Sequence, residues 1–139
     1  MSTLKEEFEK NFALDKEINK TYVEVMEVVK EKIKPNLQKF IDETGLGKST
    51  YYNLTNGYKK PLMTSLVAFA VVFKINLKNV EDLLRAWGLG FEPGNKVHHA
   101  YSQLIEKFSG KTMAECNEFL EEVGIAKKYW LNDGSETRK

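Results

Sequence analysis

The sequence predicts an all-α fold, and three observations carry that prediction. Apolar residues recur at spacings of three and four along almost the whole chain, the period of a helix with one buried face. No alternating apolar and polar run lasts long enough to build a convincing strand. The periodic segments are also punctuated by helix-boundary residues, with Asn36, Asn76 and Thr112 ahead of them and Gly45, Gly57, Gly88 and Gly124 behind.

In chain order, a short first helix is expected to start at Ser2 or Thr3, where Thr3 and Glu6 have capping-box spacing, with Leu4, Phe8 and Phe12 on one stripe. A longer helix is expected from about Asp15, with Ile18, Tyr22, Val25 or Met26, Val29 and Ile33 on its inner face. It stops before Pro35, because the residue preceding proline avoids the helical region. Asn36 caps a third helix bearing Leu37, Phe40 and Ile41, which Gly45 ends. A fourth runs from about Lys48 to Leu54 and closes at Asn56-Gly57, a pair suited to positive φ. After Tyr58-Lys59-Lys60, Pro61 opens a nearly all-apolar fifth helix, Leu62 to Phe73, which must be buried on most sides. Asn76 caps a sixth, with Leu77, Val80, Leu83, Leu84 and Trp87 inward. Residues 88–94, with three glycines and a proline, mark the clearest internal boundary. Two helices follow. One spans Asn95 to Phe108 on the stripe Val97, Tyr101, Leu104 and Phe108; the other runs from Met113 to Val123 behind the Thr112/Glu115 box.

A chain of 139 residues with 42% hydrophobic and 29% charged residues has room for one well-filled core rather than two ordinary domains. The longest apolar run, Leu66 to Phe73, falls far short of the roughly 18 residues of a membrane span. The Lys- and Glu-rich stretch from Met1 to Lys20 lacks the apolar region of a signal peptide, so a cytoplasmic location is expected. A lone cysteine, Cys116, excludes an internal disulfide framework and shares a register with Met113 and Leu120, as a core thiol would. Charge is segregated beneath a net +1. Residues 1–29 hold four Lys against seven acids (−3), residues 30–78 nine Lys against three acids (+6), and residues 79–139 eight bases against ten acids (−2). A basic middle third between acidic flanks suits a phosphate backbone.

Within that middle third, Gly45 permits a left-handed turn, Leu46 plugs the angle between two short helices, and Tyr51 with Leu54 fastens the second of them to the core. Lys48, Ser49, Tyr52, Asn53 and Asn56 are left facing outward. The segment resembles the helix-turn-helix of the λ-repressor and Cro-like (XRE) family in Gly45, Leu46, the polar helix Lys48 to Asn53, the closing Gly57, and Pro61 opening the next helix. Leu66, Phe69, Ala70, Phe73, Ile75 and the Asn76-capped helix extend the match, which covers about residues 26–84. Ile41, Gly47 and Thr55 depart from the family's usual Ala, Ser or Thr cap, and Glu.

The resemblance implies a λ-repressor-like five-helix DNA-binding core at residues 22–88. An N-terminal helical extension (1–21) would precede it. A C-terminal helical hairpin (95–131), packed on the core or used for dimerisation, and a flexible tail (132–139) would follow. The expected partner is double-stranded DNA, read as a transcriptional regulator, a repressor by type, without cofactor, metal or enzymatic activity. Lys48, Ser49, Tyr52 and Asn53 would then touch bases, Lys48 donating to guanine and Asn53 pairing bidentately with adenine. Asn36, Gln38, Asn56, Tyr58, Lys59 and Lys60 would hold phosphates. A homodimer is implied because one recognition helix reads only a few base pairs, and two half-sites lie about 34 Å apart.

An alternative remains open: a protein-interaction module on the same fold, such as an adaptor, antitoxin or immunity protein, with the C-terminal hairpin a possible docking element. The triplets Gly47-Lys48-Ser49 and Gly110-Lys111-Thr112 are not phosphate loops, since Asp42 and Ile105 stand where the earlier glycine is required. His98 and His99 are adjacent, point about 100° apart on a helix, and cannot chelate one metal together. Trp130 is either a plug on the protein's own core or an exposed interface anchor.

Overall fold

The computed structural model describes residues 3–133, and for residues 15, 18 and 19 only the backbone. All regular structure among them is helical, in the order α1 (Leu4–Ile33), α2 (Leu37–Thr44), α3 (Lys48–Asn56), α4 (Met63–Phe73), α5 (Leu77–Ala86), α6 (Lys96–Lys107) and α7 (Met113–Glu122), then a short 3-10 turn (Lys127–Tyr129). The expected helix start at Ser2, the inward placement of Ile18 and the tail beyond residue 133 lie outside the described residues. No described helix is long and apolar enough to cross a membrane.

α4 is the axis of the fold. Every residue from Ser65 to Phe73 is buried, as a helix apolar on all sides must be. α2, α5 and α6 pack against it, and α1 crosses α3 and α5. Lys74, in the left-handed region at φ 57°, closes α4. Nearby, Gly110 at φ 80° brings its N–H onto the Val71 carbonyl (2.8 Å), tying the α6–α7 connection to the end of α4.

Boundary chemistry sets the helix starts. Asn36, Asn76 and Asn95 each accept a backbone N–H three residues on, and Thr112 with Glu115 completes a reciprocal capping box. The α6–α7 hairpin spends its apolar stripe inside: Tyr101, Leu104, Ile105, Met113, Cys116 and Leu120 belong to the same buried cluster as α4. Burial pushes the Cys116 thiol up to about 12, so it stays protonated and inert.

Two expectations are corrected. The two N-terminal helices are one, a 30-residue α1 about 45 Å long; Ala13 and Leu14, which lie between Phe12 and Asp15, are good helix formers, and neither Gly nor Pro interrupts the ladder. The start of the tail is also anchored: the Asn132 amide donates to the carbonyl of Thr44, 88 residues earlier. Just before it, Asn117 brackets the backbone of Leu131 with two hydrogen bonds of 2.8 Å. Trp130 is the plug: half-buried against the core, it donates from Nε1 to the Ile125 carbonyl (2.9 Å).

Candidate nucleic-acid interface

The turn between α2 and α3 is assembled from the inside outward. Gly45 sits at φ 72° and returns its N–H to Ile41 (2.9 Å). Thr44, fully buried, donates to the Phe40 carbonyl (2.7 Å) and accepts the N–H of Leu46 (3.0 Å), which fixes the chain as it leaves α2. Leu46 then packs against the core between the two helices.

On α3, the inner face holds Tyr51, Leu54 and Thr55. The Tyr51 ring lies 5.6 Å from Phe40 and 6.2 Å from Phe69. The carbonyl of Leu54, one of the helix's last four and so without an intrahelical partner, accepts the hydroxyl of the fully buried Tyr22 at 2.8 Å. Burial raises the Tyr22 pKa, keeping that donor protonated.

The outer face begins with Gly47, which caps α3 without a side-chain bond. Lys48, Ser49 and Tyr52 are exposed, and the side chains of Lys48 and Ser49 form no hydrogen bond or ion pair within the described residues. These three meet the geometric demand for base contact: free donors on the first two turns of an exposed helix.

Asn53 does not, and its expected role is corrected. Its Nδ2 donates to the Lys59 carbonyl (3.1 Å) and its Oδ1 accepts the Lys59 N–H (2.8 Å). The amide is a bidentate staple that folds the loop after α3 back over the helix, and it has no free edge for adenine. The cause is Gly57: at φ 70° it closes α3 with an N–H to Asn53 carbonyl bond of 2.8 Å and reverses the chain.

The residues expected at phosphates fall into two groups. Lys59 and Lys60 are exposed beside α3, where the staple sets the backbone of Lys59, and Asn56 Nδ2 donates to the Tyr58 hydroxyl (3.1 Å). They border a recess of about 390 Å³ between α3 and the start of α4, with Ser49, Asn53, Thr50 and Leu62 on its walls. Thr50 and Leu62 were not singled out from sequence. By sequence Leu62 opens the apolar helix, yet it precedes α4 and is 73% exposed. At the start of α2, Asn36 spends its Oδ1 on the Lys39 N–H (2.9 Å), and Gln38 donates to Asp42 (2.8 Å). Lys39 is paired with Glu43 at 3.6 Å. That end of the motif is partly neutralised; among the described residues, the lysines of the α3–α4 loop form no ion pair with an acid.

Elsewhere, His98 accepts the Glu92 N–H on Nδ1 (3.0 Å), and among the described residues no three His, Cys, Asp or Glu side chains converge as a metal site would need. Comparison with family models, curated proteins and solved structures finds no match to this chain.

Proposed function

We propose that this chain is a sequence-specific double-stranded-DNA-binding transcriptional regulator of λ-repressor-like, XRE type, acting as a repressor and as a homodimer. The observation that carries the reading is the coincidence, on one surface, of three exposed side chains of a short helix (Lys48, Ser49 and Tyr52) with the exposed lysines of a stapled loop (Lys59 and Lys60). α3 would lie in the major groove, with Lys48 and Ser49 at base edges and Tyr52 at a thymine methyl or a phosphate. The loop lysines, Tyr58 and the start of α2 would straddle the backbone. Asn53 acts behind this surface as a positioning residue.

Titrating the full chain into a fluorescent duplex pool at two salt concentrations tests the reading. Affinity is expected to fall steeply with salt, by a power set by the few phosphates neutralised. No binding at low salt, or binding indifferent to salt, would contradict it. The second reading, a protein-interaction module, draws on Tyr58 and Leu62, each 73% exposed at the rim of the same surface; it expects almost no duplex binding at either salt concentration.

A further inference from the structure

We infer that the N-terminal arm of α1, residues 4–20, pairs antiparallel with the same arm of a second copy of this chain. Along α1 one face carries two sets of apolar residues. Tyr22, Met26 and Val29 are buried to 1% exposure or less, whereas Leu4, Phe8 and Phe12 continue that face towards the N-terminus at 85%, 70% and 55% exposure. The second set is organised: the Phe8 and Phe12 rings lie parallel, 6.4 Å apart, and the Lys16 ammonium sits 5.6 Å from the Phe12 ring. An i, i+4, i+8 ridge of large side chains is what one helix inserts into the grooves of another, at a crossing of about −50°.

Charge selects the occupant. Residues 4–9 hold Lys5 against Glu6, Glu7 and Glu9, net −2; residues 10–20 hold Lys10, Lys16 and Lys20 against Asp15 and Glu17, net +1. The whole arm is therefore −1, and Glu7 and Glu9 flank the ridge, which disfavours both a DNA backbone and an anionic membrane. An antiparallel second copy instead sets each −2 half against a +1 half, opposes the helix dipoles and brings Phe8 beside the partner's Phe12. Such a contact is two-fold and closes on itself, so it gives a dimer rather than a filament. This deepens the regulator reading, and rests on it only for purpose: because Tyr22 on the same helix holds the end of α3, joining two arms would fix the separation of two recognition helices.

Sedimentation of the full chain without DNA tests the pairing. The wild type is expected at twice the 16.0 kDa chain mass, and Phe8→Glu/Phe12→Glu is expected at the monomer mass, folded and melting in one transition at the temperature of the wild type diluted to monomer, since neither ring belongs to the core cluster. Glu7→Lys/Glu9→Lys should weaken the dimer roughly tenfold or more, and adding Lys10→Glu/Lys16→Glu should restore it. A wild type that stays monomeric at about 100 μM, a dimer that survives the double Phe replacement, or a Glu7→Lys/Glu9→Lys dimer of unchanged strength would overturn the proposal. The DNA reading would survive any of these, tested by duplex binding of the monomer, just as the sedimentation result would survive a failure to bind DNA.

Discussion

α3 is treated differently at its two ends. From Asn53 onward it is tied down: Asn53 holds Lys59 twice, Leu54 accepts from Tyr22, Thr55 donates to Tyr51 (3.1 Å), and Asn56 reaches Tyr58. At the other end, Gly47 offers no side-chain cap and Lys48 and Ser49 extend into solvent without a partner among the described residues. The C-terminal half is spent on holding the helix to the body and the basic loop to the helix. The N-terminal half is left with its donors free, and reading a groove needs this division, because side chains that read bases must be exposed on a helix that does not move.

The largest expected effect lies at the anchored end. Tyr22→Phe strands the buried Leu54 carbonyl and is expected to cost about 1–3 kcal/mol of stability, seen in a urea melt, without altering which duplex is preferred. The same residue carries a pH signature. Its folded-state pKa is raised above 10.0 by burial, so its contribution is whole below pH 10 and is lost as the pH climbs beyond that value. Tyr101, held up to about 12 by burial and donating to the Tyr129 carbonyl, works in the same direction. The wild type is expected to lose stability above pH 10, and Tyr22→Phe to lose less over that window.

Lys48→Ala should do the reverse of Tyr22→Phe: no shift in the melt, and a loss of about 1–3 kcal/mol on the preferred duplex but much less on random sequence. An equal loss on both would move Lys48 from base to phosphate. Asn53→Ala should cost about 1 kcal/mol of stability through two exposed hydrogen bonds and weaken all duplexes alike by freeing the loop. Selective loss on one sequence would return Asn53 to the bases. Lys59→Ala is expected to flatten the salt slope by about one unit. The smallest effect is at Gly47, where an added Cβ would meet nothing within 4 Å; Gly47→Ser should stabilise by a few tenths of a kcal/mol by supplying the missing cap.

Most helix boundaries were legible because they are local chemistry. Asn36, Asn76 and Thr112 cap, and Gly45 and Gly57 take positive φ, for reasons contained within four residues. What a face meets was not legible. Leu4, Phe8 and Phe12 share the period of Tyr22, Met26 and Val29, and periodicity states which side is apolar without stating whether anything covers it. The site divides in the same way. Lys48, Ser49 and Tyr52 stand outward as their spacing requires. An Asn amide, however, serves a base or a backbone equally well, and only the path of the chain after Gly57 decides that Lys59 occupies Asn53. By sequence Asn132 belongs to a tail, lying beyond the last helix among polar residues; its partner on Thr44 is remote in sequence, and no local pattern encodes it.

The most direct test is selection of bound fragments from random duplex DNA, with the full wild-type chain and with Lys48→Ala in parallel. The wild type is expected to enrich one motif and Lys48→Ala to relax it at a single position, at a guanine, leaving the rest of the motif in place. A wild type that enriches no sequence, or a Lys48→Ala variant that enriches an identical one, would contradict the assignment of α3's free end to base reading.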